Sequence, residues 1–216
     1  MSRSDTWTAE WCCDKLISHE NILDAIPTSG NTVRLAVKDI SNPVLIVTMS
    51  EHRVELNAVP DLLHDSEIEF LLNIPKDAYF SGELLSIASG IPIGIGGIRD
   101  LYTAAAEKQF RTYIPKETRF ILRGLVQHSA VREVVRINSR SYQILKHSGE
   151  TLCVLALNEY DLTADAVRSG LEKYGKPDFV LASNPNCRLT VDTIEAARFA
   201  GTGVLIWRQL LGVLNN

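Results

Sequence analysis

Two acidic stretches, Glu51-His52 and Glu159-Tyr160-Asp161, stand where this chain has the means to do chemistry. Each follows an apolar run, 44–49 and 152–157, that reads as a buried strand. Ligands of open α/β sheets bind outside the carboxyl ends of the strands, so Glu51, Glu159 and Asp161 are candidate walls of a ligand site. The competing reading is that acids ahead of a helix stabilise its positive end. Asn184, Asn186 and Arg188 follow a third apolar run, 179–182. Asn and Pro there suit a turn, and an arginine beside two amides also suits a carboxylate or phosphate. The run Ile93-Gly94-Ile95-Gly96-Gly97-Ile98-Arg99 passes from a strand into a helix, so the amides of Gly96 and Gly97 are a possible anion site. Arg99 holds the place of the third glycine of a dinucleotide fingerprint, which favours a tight turn instead.

Other reactive side chains carry less. His19 and His128 stand at matching places near the end of a helix, where histidine binds terminal carbonyls, and no nucleophile motif accompanies them. His64 and His147 are isolated. No spacing of His, Cys, Asp or Glu matches a metal site, and no motif implies a cofactor. Of the four cysteines, Cys12 and Cys13 are adjacent, Cys153 lies in a strand pattern and Cys187 in a polar loop. None forms C-x-x-C, so they read as buried or idle thiols. Arg119, Arg123, Arg132, Arg136, Arg140 and Lys146 form the one basic concentration, fit either for a nucleic acid or protein partner or for a solvated face.

The elements that must hold these residues follow one order twice. In the second half a helix at 118–129 precedes strands at 133–137, 141–146 and 151–157, a helix at 162–174, a strand at 179–182, a helix at 191–200, a strand at 204–207 and a last short helix. The first half predicts a helix at 8–18, strands at 22–26, 32–38 and 44–49, a helix at 54–65, a strand at 69–72, a helix at 80–89, a strand at 91–95 and a helix from Arg99. The halves superpose with an offset of about 108 to 111 residues, which marks an internal duplication. Trp11, Leu16 and His19 match Phe120, Leu125 and His128. Phe70 and Leu72 match Phe179 and Leu181, Gly90 matches Gly201 and Ile95 matches Ile206. The expected fold is α/β: two tandem α-β-β-β-α-β-α-β-α units, 1–108 and 109–216, with mixed sheets covered by helices and approximate twofold symmetry between them. The segment 108–116, marked by Pro115, is the expected boundary.

The order α-β-β-β-α-β, with a tail of strand, Asn-Pro, helix, strand and Trp-Arg, resembles the restriction-endonuclease-like, PD-(D/E)XK, superfamily. The resemblance is one of element order and covers both halves. It implies an acidic residue on the second strand and Glu-x-Lys on the third, holding magnesium and activating water. The third strands here read Val-Leu-Ile-Val-Thr-Met and Leu-Cys-Val-Leu-Ala-Leu, and no Asp, Glu or Gln in the chain has Lys two positions later. The Pro-Asp pairs at 60–61 and 177–178 are not followed by the required element.

Composition sets the outer limits. The chain has 216 residues, 45% hydrophobic and 22% charged, with net charge −4 and pI about 5.7. This is globular usage, and general affinity for phosphate backbones is not expected from it. The N-terminal residues have no apolar core of a signal peptide and the longest apolar run is too short to span a bilayer, so a cytoplasmic protein without a membrane partner is expected. Two functions fit. One is a non-catalytic binding or scaffold protein, a degenerate nuclease-like module in a larger assembly with a protein partner and a possible nucleic acid. The other is a small α/β enzyme or small-molecule sensor with its ligand at the strand carboxyl ends. Both leave the oligomeric state open.

Overall fold

The runs 44–49 and 152–157 have no polar face because helices cover these inner strands on both sides. A computed structural model describes residues 3–59 and 67–215. The chain divides into two compact units, Met1–Pro115 and Lys116–Asn216. Phe110 and Tyr113 belong to the core of the first, which carries that unit to Pro115.

The first unit runs α1 (Arg3–Leu16), β1 (Ile22–Pro27), β2 (Thr32–Val37), β3 (Val44–Met49), β4 (Arg53–Val54), a 3-10 turn (Leu56–Ala58), β5 (Ile68–Asn73), β6 (Tyr79–Phe80), α2 (Gly82–Gly90), β7 (Gly94–Gly96) and α3 (Ile98–Glu107). The second runs α4 (Lys116–Val126), β8 (Val131–Arg136), β9 (Ser141–Lys146), β10 (Thr151–Leu157), β11 (Asp161–Leu162), α5 (Ala164–Tyr174), β12 (Phe179–Ala182), β13 (Arg188–Leu189), α6 (Val191–Phe199), β14 (Gly203–Ile206) and α7 (Trp207–Leu214).

Each unit holds a five-stranded mixed sheet, in the orders β1-β2-β3-β5-β7 and β8-β9-β10-β12-β14. The first three strands of each form an antiparallel meander, and the last two join in parallel. Each unit adds a two-stranded parallel pair, β4 with β6 and β11 with β13, which the sequence pattern did not reveal. In the first unit α1 and α3 close one face around Leu16, Ile46, Phe70 and Leu101, and α2 closes the other around Val47, Leu71 and Leu84. In the second, α4 and α7 cover Tyr142, Ile144 and Val154, while α5 and α6 cover Val180 and Ala182. Alternate residues of the third strand serve opposite cores, so every position in it must be apolar or satisfied.

The register makes the likeness of the two units concrete. Phe70 lies opposite Ile46 and Gly94, and Phe179 lies opposite Val154 and Gly203. A side chain added at Gly94 would meet the Phe110 carbonyl and the Phe70 ring, and one at Gly203 would meet the Phe179 ring. The ring of the inner strand thus covers a glycine of the edge strand in both units.

Three expectations need correction. Ile95 faces Leu71 and Val204 faces Val180, so Ile95 corresponds to Val204, not Ile206, and the offset stays near about 109 to the end. The strand expected at 91–95 starts at Gly94, because Ile91 still closes α2 with its N–H on the Ile87 carbonyl. The expected helix at 54–65 opens as β4 and a 3-10 turn, since Val54 is drawn into the core beside β6. Its remainder, with His64 and the 60–61 pair, lies outside the described residues.

Candidate functional site

The carboxyl ends of β10 and β12, the start of β9 and the first turn of α4 meet at one end of the second sheet. Glu117 points there from α4 and accepts three hydrogen bonds. Arg140 Nη1 and Asn158 Nδ2 donate to Oε2 at 2.6 and 3.1 Å, and Ser183 Oγ donates to Oε1 at 2.5 Å. Arg140 leads into β9, Asn158 follows β10 and Ser183 follows β12. The Glu117 and Arg140 side chains are half-buried, and Asn158 opens the group to solvent.

Arg136 and Tyr142 flank the cluster as a cross-strand pair of β8 and β9, with the Arg136 charge near enough to that of Arg140 to be felt. Tyr142 is 1% exposed, and burial raises the pKa of its phenol. Burial, reinforced by the charge of Arg140, lowers that of the Arg136 guanidinium. Its Nε is buried without a hydrogen-bond partner. Burial also acts against the charge of Arg140, but the ion pair and hydrogen bond to Glu117 outweigh it and hold that guanidinium above its ordinary value.

The first unit shows what this end of the fold requires. Asn31 and Arg140 each accept, through the main chain, the amide of the third strand: Thr48 N–H to Asn31 O and Ala156 N–H to Arg140 O, both 2.9 Å. Ile74 and Ser183 donate their amides to Met49 O and Leu157 O at 2.9 and 3.0 Å. Leu16 and Leu125 are buried at equal places on the covering helix. By these anchors Thr8 stands for Glu117, Asn31 for Arg140, Ser50 for Asn158 and Ile74 for Ser183. Pro27 and Val33 pair as Arg136 and Tyr142 do. The first unit closes this end with neutral bonds: Thr48 Oγ1 donates to Thr8 Oγ1 at 2.9 Å and Asn31 Nδ2 to Thr48 O at 2.8 Å. No charged residue stands at any of these positions. The fold is therefore complete without ions here, and half-burying three of them costs desolvation that neutral side chains avoid.

The residues singled out from sequence fall in several places. Glu51, Glu159 and Asp161 are exposed just beyond β3 and β10. The buried Asn73 side chain clamps the Glu51 backbone, accepting its N–H at 3.0 Å and donating to its carbonyl at 2.8 Å. Asp161 pairs with Arg188 across β11 and β13, and the Arg188 guanidinium lies 5.5 Å from the Tyr160 ring centre. The first unit repeats that stack with the strands exchanged, Arg53 of β4 over Tyr79 of β6 at 3.8 Å. Asn184 accepts the Asn186 amide at 2.9 Å in a side-chain turn, and Asn186 is exposed.

Gly97 caps α3, and its amide donates to Asp100 Oδ2 at 2.9 Å, so the chain's own carboxylate holds that amide. A side chain at Gly96 would collide with Asp100. His19 and His128 accept, through Nδ1, the amides of Asn21 and Ala130 at 3.3 Å, which makes them turn residues between helix and first strand. The basic segment divides. Arg119, Arg123 and Arg132 are exposed, whereas Arg140 is held by Glu117, and Lys146, 4% exposed, donates to Glu150 at 2.7 Å. Among the described residues no group of three or more His, Cys, Asp or Glu is arranged to hold a metal, and no helix is long and apolar enough to cross a membrane.

Sequence reasoning passed over Glu117, Asn158 and Ser183. Glu117 reads as an acid favouring a helix start and Ser183 as a loop residue. The signal that finds them is the contrast with Thr8, Ser50 and Ile74 once the halves are aligned. Comparison of the chain with protein-family models, with curated proteins and with solved structures finds no match.

Proposed function

We propose that this chain is a non-catalytic binding protein, a duplicated and degenerate nuclease-like module. Its first unit serves as scaffold, and its second holds a ligand at the carboxyl ends of β10 and β12 within a larger assembly. One observation carries the reading: equivalent positions of the two units are neutral in the first and carry Glu117, Arg136 and Arg140 in the second. A charge cluster the scaffold does without marks a site kept for something other than folding. The resemblance to the nuclease-like superfamily supports the non-catalytic side. Where that family's third strand carries its carboxylate and lysine, β3 and β10 carry residues such as Val47 and Val154 that fill the cores.

Native mass spectrometry of protein gently purified from its own host tests the proposal. The expected result is a mass excess, lost on denaturation, that is present with the wild-type chain and absent with Arg140→Gln. Metal-dependent cleavage of nucleic acid by the purified chain would overturn it. A second reading, direct contact with nucleic acid, is favoured by the exposed Arg119 and Arg123, one helical turn apart on α4, and by Arg132 on β8. It predicts binding that weakens steeply with salt and is reduced by removing those arginines.

A further inference from the structure

Three donors from three different strand ends converge on the carboxylate of Glu117. A guanidinium, an amide and a hydroxyl so arranged are a receptor for oxyanions, and the oxyanion they hold belongs to the chain itself. The group is not electrically closed. Arg136 and Arg140 bring two positive charges to one negative, and Arg136 keeps a buried nitrogen without an acceptor. Glu117 takes one arm of the Arg140 fork, which leaves further donors on that group. An anion with more charge and more acceptor oxygens than a carboxylate would serve the set better.

We propose that Arg136, Arg140, Asn158 and Ser183 form a phosphate-binding site, and that Glu117 is its built-in competitor, occupying the donors until a phosphate-bearing ligand displaces it. This rests on the reading that the second unit holds the ligand. A phosphate offers three acceptor oxygens and nearly two charges, matching the two guanidinium groups and the two neutral donors. Displacement leaves Glu117 in the first turn of α4, where a carboxylate is favoured by the helix dipole, so the released side chain has a stable place in water. The neutral first unit has no such set and binds no phosphate there. The phosphate has two natural sources, a free nucleotide or the 5′ end of a nucleic acid strand.

Calorimetric titration of the full chain with inorganic phosphate, a nucleoside monophosphate and a 5′-phosphorylated single-stranded decamer tests this, on the wild type, E117Q and R140Q. The expected result is phosphate affinity raised roughly tenfold in E117Q and lost in R140Q, with circular dichroism unchanged. The tighter of the two organic probes identifies the source. Should R140Q fail to fold, R136Q and N158A carry the same expectation of weakened binding. The proposal is overturned if no probe binds, or if folded E117Q binds no tighter than the wild type. A non-phosphate ligand protecting this cluster in hydrogen exchange would sink the phosphate and keep the binding reading. A host-purified chain carrying nothing at the cluster would sink both.

Discussion

Lys146 is nearly inaccessible and its ammonium donates to Glu150, whose own side chain is half in water. Removing the acid strands a buried cation, whereas replacing the lysine by an apolar side chain leaves Glu150 a half-exposed carboxylate that water can solvate. Glu150→Ala should therefore destabilise the chain by about 1–3 kcal/mol, and Lys146→Met should be close to neutral. Guanidinium denaturation of both variants compares them directly. Burial also sets the acid–base behaviour of two tyrosines. Desolvation, with Asp100 beside it, raises Tyr113 far above the ordinary phenol range, and desolvation raises Tyr142. A phenol whose folded value is raised contributes stability that is full below its unfolded pKa of about 10 and is lost as pH rises toward the folded value. Stability should fall above pH 10, less so in Tyr113→Phe, as thermal melts across that range would show. Cys12 is fully buried and its thiol is pushed up, first by burial and then by Cys13. It should resist alkylation until the first unit unfolds, as peptide mapping after iodoacetamide would record.

Between elements, Gly124 of α4 lies tightly against the Trp207 ring of α7. A methyl group at Gly124 would enter the ring of Trp207. Alanine is the better helix former by about 1 kcal/mol, but overpacking costs about 1–3 kcal/mol, so Gly124→Ala should lower stability despite its propensity gain. Denaturant midpoints decide the sign. The same scale explains what the sequence disclosed. Strands 141–146, 151–157 and 179–182 were legible residue for residue, because apolar runs between clear breakers admit one reading. The strand at Gly94 was misplaced because two of its three residues are glycines, whose place is set by Phe70 and Phe110 across the sheet. Pairs of two residues, such as β4 with β6, carry no period at all. The candidate site was legible only in part. Arg140 stood out as one of a run of basic residues, and nothing local links it to Glu117 or Ser183, which tertiary structure brings together.

Each unit buries its own apolar residues in two cores, one on either face of its sheet, and every member of a core comes from the same unit. The second unit should accordingly fold alone. A fragment spanning 116–216 is expected to unfold cooperatively and to show dispersed amide resonances, and a molten fragment with native-like helix content but no fixed side chains would contradict this.

Asn31 and Ile74 are held by the same main-chain bonds that hold Arg140 and Ser183, and Thr8 and Ser50 stand where the second unit has Glu117 and Asn158. The first unit is thus a blank cast from the same mould. On the proposed reading, copying these residues, with an arginine in place of Pro27, would give a second receptor in the same polypeptide. A lineage that duplicated this gene segment could change its avidity by a handful of codons, without rebuilding a core.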